Sequence, residues 1–267
     1  MSAEMAMLRS ARRLFRRFFP RRLDPWLDAP IGPAALDPLY REAYLSSLNA
    51  EERTDAFAAG RFDDVRRWRN VLDRASVGDG LVLDLASGNG GGALALSAGG
   101  RRMVTVDRGW NETARIAYRR CGAPFRHILC DAGALPFRDA SFAAVTCLDS
   151  FEHFAQPGAA AAEASRVVRA GGTIFVETPA RLAWLFRRDP HFGIRFLLLL
   201  PSATQRRVAA RRGFSQPHHY VDRIYTSAKR LERLFPNCRI ERTLTRSRLP
   251  RRWFWDALVL KKGEARR

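Results

Sequence analysis

Four stretches of the chain combine residue types and spacing that could do chemistry. The first is Asp84-Leu-Ala-Ser-Gly-Asn-Gly-Gly-Gly92, at the end of the apolar run Leu81–Leu85. A glycine-rich turn between a strand and a helix lets the backbone approach a ligand closely, because glycine has no Cβ to hold it away. The second is Asp107, directly after the apolar run Met103–Val106. A carboxylate at a strand tip can accept hydrogen bonds from both hydroxyls of a ribose. The third is Asp131-Ala132, after His127–Cys130. There one side chain and one backbone amide could read an adenine edge. The fourth is Asp149-Ser-Phe-Glu-His153, within Leu148–Phe154 and directly after Phe142–Cys147. His153 is the candidate general base on this segment, and Asp149 is the second candidate catalytic residue.

These groups are useful only if strand tips bring them together. Short apolar runs alternate with helical patterns: helices are expected at Ala93–Ala98, around Glu112–Arg120 and at Ala159–Val168, with a fifth strand at Thr173–Glu177. That rhythm implies a doubly wound α/β sheet, in which ligands bind at the carboxyl ends of the strands. A helix at Ser227–Phe235 and late strands at Arg239–Thr245 and Trp253–Leu260 complete it. The expected architecture is a Rossmann-like sheet of seven strands, mostly parallel with a late antiparallel strand. A helical cap is inserted after the fifth strand, at about residues 180–225. Ahead of the sheet, residues 46–75 carry apolar residues at near-helical spacing. Residues 1–45 form a separate lead-in: a basic amphipathic helix at residues 5–19, ended by Pro20, then a proline-rich loop. The main domain is expected to cover residues 46–267.

The composition supports a buried core, with 46% apolar residues among 267. Net charge is +19, and of the 46 basic residues only Lys229, Lys261 and Lys262 are lysine. Such a surface attracts phosphorylated substrates, anionic lipid or other polyanions. The four cysteines form no CxxC pair, which points to reduced thiols in a cytoplasmic protein rather than to zinc or disulfides. No apolar run approaches the roughly 20 residues of a membrane span, and no signal peptide is expected at the N-terminus.

The combination VLDLASGNG (82–90), VTVDRG (104–109), CDAGALPFRDASFAAVT (130–146), SFEHF (150–154) and VVRAGGTIFVETP (167–179) resembles the class I S-adenosylmethionine-dependent methyltransferases, in particular their type 11 small-molecule branch. The resemblance covers about Leu81–Pro179. It implies S-adenosylmethionine as cofactor. Asp84, Ala86, Ser87, Gly88 and Gly90 would border its methionine part, and Asp107, with Arg108 beside it, would hold the ribose. Asp131 and Ala132 would hold the adenine, and Asp149 and Ser150 would line the path to the sulfonium. The family usually has glycine where this chain has Ala86, so a methyl group narrows the turn.

Methyl transfer from a sulfonium is an in-line displacement that depends mainly on alignment. A base matters most for a hydroxyl nucleophile. The chain has no Asn-Pro-Pro-Tyr-like segment after the fourth strand and no Pro-Cys nucleophile, which argues against amino-group methylation on adenine or glutamine and against cytosine C5 chemistry. The Glu152-His153 pair resembles one in quinone-pathway O-methyltransferases, but no metal is expected. The cap and the segment 218–235 resemble bacterial methyltransferases of surface-glycan and lipid-linked sugar pathways. The first expectation is therefore O-methylation of a small-molecule, sugar or lipid-linked glycan acceptor. The second is a quinone-like acceptor, with Leu197–Leu200 lining its pocket. A third, of another class, is a basic nucleic-acid-associated protein that binds the cofactor, although nucleic acid is not the expected partner. The basic helix at 5–19 would place a cytoplasmic enzyme on the anionic inner face of a membrane.

Overall fold

The computed structural model describes residues 80–88, 90–97, 101–109, 114, 126–178, 180, 194, 196–212, 225, 227–245 and 255–264. The expected helices at 5–19 and 46–75, His218 and His219 lie outside these residues. So does the helix expected at Glu112–Arg120, apart from Ala114, which is helical and buried.

Among the described residues, seven strands form one sheet. They are β1 (Val82–Leu85), β2 (Met103–Asp107), β3 (Arg126–Leu129), β4 (Phe142–Leu148), β5 (Val168–Glu177), β6 (Cys238–Leu244) and β7 (Ala257–Lys262). Their order is β3-β2-β1-β4-β5-β7-β6. Strand β1 pairs in parallel with both β2 and β4. The order therefore reverses at β1 and β4, which is where such sheets open a ligand crevice. Strand β7 runs antiparallel to both β5 and β6 and is the late antiparallel strand the sequence suggests.

The central strands are apolar on both faces because both faces are covered. Leu83, Leu85, Val145, Cys147, Ile174 and Val176 share one core with Ala161, Ala164 and Val167 of α2 (Pro157–Val167). Val82, Ala144, Phe175 and Val259 share the other with Ala93 and Leu96 of α1 (Gly91–Ser97). Between β5 and β6 lie a short 3-10 turn, Leu197–Leu199, and α3 (Ser202–Arg211), then α4 (Ala228–Glu232). An isolated bridge from Ala180 to Tyr225 ties the two ends of this insertion together.

Several boundaries differ from the sequence reading. Helix α2 starts two residues early, because Pro157 suits a first-turn position that has no amide to satisfy. It ends at Val167, and β5 opens at Val168 rather than Thr173. The Gly171-Gly172 pair, which precedes the expected strand, lies inside β5. The pairing of β4 with β5 slips between Phe142 and Ala144, and Gly171 takes φ +66° to absorb the irregularity. Helix α4 ends at Glu232, three residues before Phe235, and Pro236 then prevents its continuation. Strand β7 starts at Ala257, later than the Trp253 expected.

Gly172 is the tightest point of the irregularity. A Cβ there would lie 2.7 Å from Val168 Cγ2 and 2.8 Å from the backbone oxygens of Ala143 and Arg169. A Cβ on Gly171 would meet nothing within 4 Å. Gly172→Ala is expected to cost about 2–3 kcal/mol in urea unfolding, and Gly171→Ala only about 1 kcal/mol for its left-handed backbone. Equal losses would contradict the packing described here.

Candidate active site

Strand β1 runs into a turn whose backbone turns left-handed three times, at Ala86 (φ 56°), Gly88 (φ 52°) and Gly90 (φ 80°). Glycine takes this conformation freely, whereas alanine pays about 1–2 kcal/mol for it. That backbone requirement, more than any narrowing of the turn, is the physical reason glycine suits position 86. The turn is fastened on both sides. Ser87 N–H donates to Val106 O at 3.0 Å, and Gly88 N–H donates to Asp107 Oδ2 at 2.9 Å. On the other side Ser150 Oγ lies 3.1 Å from Ala86 O and 2.9 Å from Leu148 O. The tips of β2, β1 and β4 are thereby laced into one rim. A Cβ added to Gly88 would meet nothing within 4 Å, so the turn faces open space. Ser87 Oγ is buried and has no hydrogen-bond partner among the described residues. An open cradle beside an unsatisfied buried hydroxyl fits a small polar ligand.

Asp84 is 2% exposed. Thr146, its neighbour in register on β4, donates to Oδ1 at 2.8 Å, and the Ala93 amide in the first turn of α1 also donates to it. Burial still dominates and lifts its pKa from 3.8 to about 7, opposed by the Thr146 hydrogen bond and assisted by the charge of Asp107. Asp84 thus holds β1, β4 and α1 together beneath the turn.

Asp107 is half-buried at the tip of β2, and its Oδ1 accepts from Gly109 N–H at 3.1 Å. Each carboxylate oxygen thus accepts one amide and keeps capacity for another donor. Arg108 is exposed in the bend that follows. Asp131 is exposed, and its Oδ1 accepts from Gly133 N–H at 2.7 Å, while Ala132 beside it is half-buried. The Cys130 amide donates to Asp107 O at 3.0 Å, which places this third tip next to the second.

The loop after β3 is fixed by a residue the sequence reading missed. Arg166, on α2, donates to Glu163 Oε1 and Oε2, Asp139 Oδ1, Phe137 O and Leu135 O, all between 2.7 and 3.0 Å. All five guanidinium N–H groups are used. Glu163 in turn accepts the Leu135 amide at 2.7 Å, and the hydrogen bonds from Arg166 hold its pKa below the ordinary value. Asp139 belongs to this brace, in keeping with a turn role. The Glu163–Arg166 spacing of three on a helix was the available signal.

At the tip of β4, Asp149 is half-buried with φ 48°, and its amide donates to Glu177 O at 3.2 Å. The next turn is a single 3-10 helix, Phe151–His153. It separates Glu152 from His153: the glutamate is 1% exposed and the histidine is half-buried near the rim. Beneath them the Cys147 thiol is pushed far up, first by burial and then by the charges of Glu152, Asp84, Asp149 and Glu177. Among the described residues no group of three His, Cys, Asp or Glu side chains is arranged to hold a metal. Leu197 packs against Ile194, Val208 and Ala209, while Leu200 is exposed.

A family model described as a methyltransferase domain matches residues 83–176, the span that carries all four strand tips. The chain is similar to the demethylmenaquinone methyltransferase of Renibacterium salmoninarum, 33% identical over 150 residues, which cover 49% of this chain and 62% of that protein. The demethylmenaquinone methyltransferase of Thermus thermophilus is 38% identical over 119 residues, 42% of this chain and 54% of that one. Over residues 83–176 the chain matches that methyltransferase-domain family and is similar to class I S-adenosylmethionine-dependent methyltransferases of type 11. It spans about half the length of the curated relatives it matches. Its fold is shared with 1,6-didemethyltoxoflavin-N1-methyltransferase of Burkholderia thailandensis, at 15% identity and TM-score 0.54, covering 85% of this chain and 88% of that one. A protein of Pyrococcus horikoshii shares it at 18% identity and TM-score 0.56, covering 84% and 98%. The 1,6-didemethyltoxoflavin-N1-methyltransferase structure holds S-adenosylhomocysteine.

The raised pKa of Asp84 has a signed consequence for stability. The folded domain keeps a proton on Asp84 that the unfolded chain releases near pH 4. The associated stabilisation is complete below that pH and is lost as the pH rises through about 7. Asp84→Asn should therefore gain on wild type between pH 4.5 and 8, by on the order of 3 kcal/mol in urea unfolding. A difference that stays constant over that range would contradict a buried, largely protonated Asp84.

Proposed function

We propose that this chain is an enzyme that transfers the methyl group of S-adenosylmethionine to a small-molecule acceptor, and that the acceptor is quinone-like. The observation that carries the cofactor half is Asp107. Its two oxygens are pinned by the Gly88 and Gly109 amides, and both still have lone pairs for a pair of vicinal hydroxyls. In this reading Asp107 and Arg108 take the ribose, and Asp131 and Ala132 take the adenine. Asp84, Ala86, Ser87, Gly88 and Gly90 border the methionine part. The bound cofactor supplies a methyl group on a sulfonium, ready for in-line attack. The carboxylates of Asp149, Glu152 and Glu177 make this end of the sheet suited to a cation.

Asp149 and Ser150 line the approach along which the acceptor meets the methyl group. Ser150, anchored to Ala86 O and Leu148 O, keeps that approach in register with the glycine turn. His153, half-buried on the segment leaving β4, takes the proton from an acceptor hydroxyl, which a quinone-like acceptor carries in its reduced, phenolic form. Alignment supplies most of the rate and the base a smaller part.

The quinone-like acceptor is supported by the demethylmenaquinone methyltransferases among the relatives. A second reading, O-methylation of a sugar or lipid-linked glycan, is favoured by the exposed arginines of α3, which suit phosphate. Under either reading the enzyme works in the cytoplasm, with residues 5–19 as a peripheral contact to anionic membrane. No helix among the described residues is long and apolar enough to cross a membrane.

The test is a labelled-methyl transfer assay with quinone-like and sugar acceptors. Label should enter the quinone-like acceptor, and Asp107→Ala should raise KM for S-adenosylmethionine about 30-fold or more, from the loss of hydrogen bonds to a charged group. An unchanged KM removes the ribose assignment. Label entering only the sugar replaces the first acceptor with the second.

A further inference from the structure

The cap carries a feature that neither cofactor binding nor methyl transfer uses. Phe196 stands at φ +63°, a left-handed backbone that residues with side chains rarely adopt, and the residue is 52% exposed. Four residues on, Leu200 is 38% exposed. Between them Leu197 is 1% exposed and packed against Ile194, Val208 and Ala209. The turn thus sinks one apolar side chain as an anchor and presents two others outward.

This presentation is fixed rather than frayed. Leu199 N–H donates to Phe196 O at 3.1 Å and Leu200 N–H to Leu197 O at 3.0 Å. The buried Gln205 side chain reaches back from α3 and donates to Leu200 O at 2.7 Å. The Thr204 and Gln205 amides both donate to Pro201 O, at 2.9 and 3.0 Å. An exposed aromatic ring on a strained backbone, braced by a buried side chain, indicates a function at that ring.

The surroundings identify its chemistry. Helix α3 exposes Arg206, Arg207 and Arg211, and Arg212 follows, also exposed. The whole segment 194–212 contains no Asp or Glu. We infer that this outer face of the cap docks on an anionic lipid bilayer, with Phe196 and Leu200 entering the headgroup boundary and the arginines of α3 meeting lipid phosphates. Apolar side chains beside a basic helical face are the arrangement that interfacial binding requires, and guanidinium groups match phosphate by paired hydrogen bonds. A second copy of the chain is disfavoured here because two such faces repel each other. Nucleic acid would use the ring and the arginines but gains nothing from the aliphatic Leu200, which has no π-face for a base to stack on. The inference stands apart from the quinone-like acceptor and from residues 5–19, since it rests on the cap alone.

The test uses the full-length protein and vesicles of phosphatidylcholine with and without about one-third phosphatidylglycerol. Phe196→Gly is the informative variant, because glycine accepts φ +63° without strain and removes only the ring. Wild type should sediment with the anionic vesicles and not with the neutral ones. Phe196→Gly should weaken that partition at least about tenfold, by loss of an apolar anchor, and Arg207→Ala with Arg211→Ala about 30-fold. Calorimetry with S-adenosylmethionine on the same variants should match wild type, which keeps failure here distinct from failure of the cofactor reading. Vesicle binding that is unchanged in both variants overturns the inference, as does indifference to vesicles with tight, salt-sensitive binding of RNA.

Discussion

Gly88 N–H meets Asp107 Oδ2 across 2.9 Å, and this contact joins the left-handed turn after β1 to the tip of β2. A glycine-rich turn alone has many accessible shapes, since each glycine is nearly free in φ. The carboxylate selects one of them. Because Ser87 N–H donates to Val106 O just before it, the turn is held at two successive residues by the neighbouring strand. Ser150 then fastens the opposite edge through Ala86 O. A ligand that enters this rim meets amides and carboxylates already in place, so little ordering is left for binding to accomplish. The same carboxylate that shapes the turn is the group proposed to hold the ribose, so cofactor binding and turn geometry are coupled through one side chain.

Beneath the rim the electrostatics oppose burial. Asp84 is nearly inaccessible and accepts from Thr146 and Ala93, but these hydrogen bonds do not offset the loss of water. Glu152 and Glu177 are buried nearby, and with Asp84 and Asp149 they act together on the Cys147 thiol. A bound cation would relieve that accumulation, which gives the acids a physical reason to collect where a sulfonium is expected. The cost is carried by the surrounding sheet. Its central strands are apolar on both faces, and Arg166 braces the loop after β3 from below.

The sheet was legible because strand and helix periods differ, and because β1, β2 and β4 are short, apolar and end in polar residues. The strand tips at Asp84–Gly90, Asp107, Asp131 and Asp149 were legible for the same reason: each follows an apolar run directly. What was hidden depended on tertiary contact. Thr146 reads as one more β-branched residue in a strand, and only the register with Asp84 makes it a donor. Arg166 is one arginine among many, and three of its five acceptors come from a loop about thirty residues earlier. Gly171-Gly172 precedes the strand expected from Thr173; here both lie within β5, in an irregularity where Gly172 is closely packed. Leu197–Leu200 reads as a pocket lining because the run is uniformly apolar. The structure instead divides it, with Leu197 inward and Leu200 outward.

The most direct measurement is a crystal structure of the full-length protein with S-adenosylhomocysteine. The account predicts the ribose hydroxyls within hydrogen-bond distance of Asp107 Oδ1 and Oδ2, with the Gly88–Asp107 contact retained and the adenine against Asp131 and Ala132. A ligand bound away from these strand tips, or a turn that releases Asp107 on binding, would contradict it.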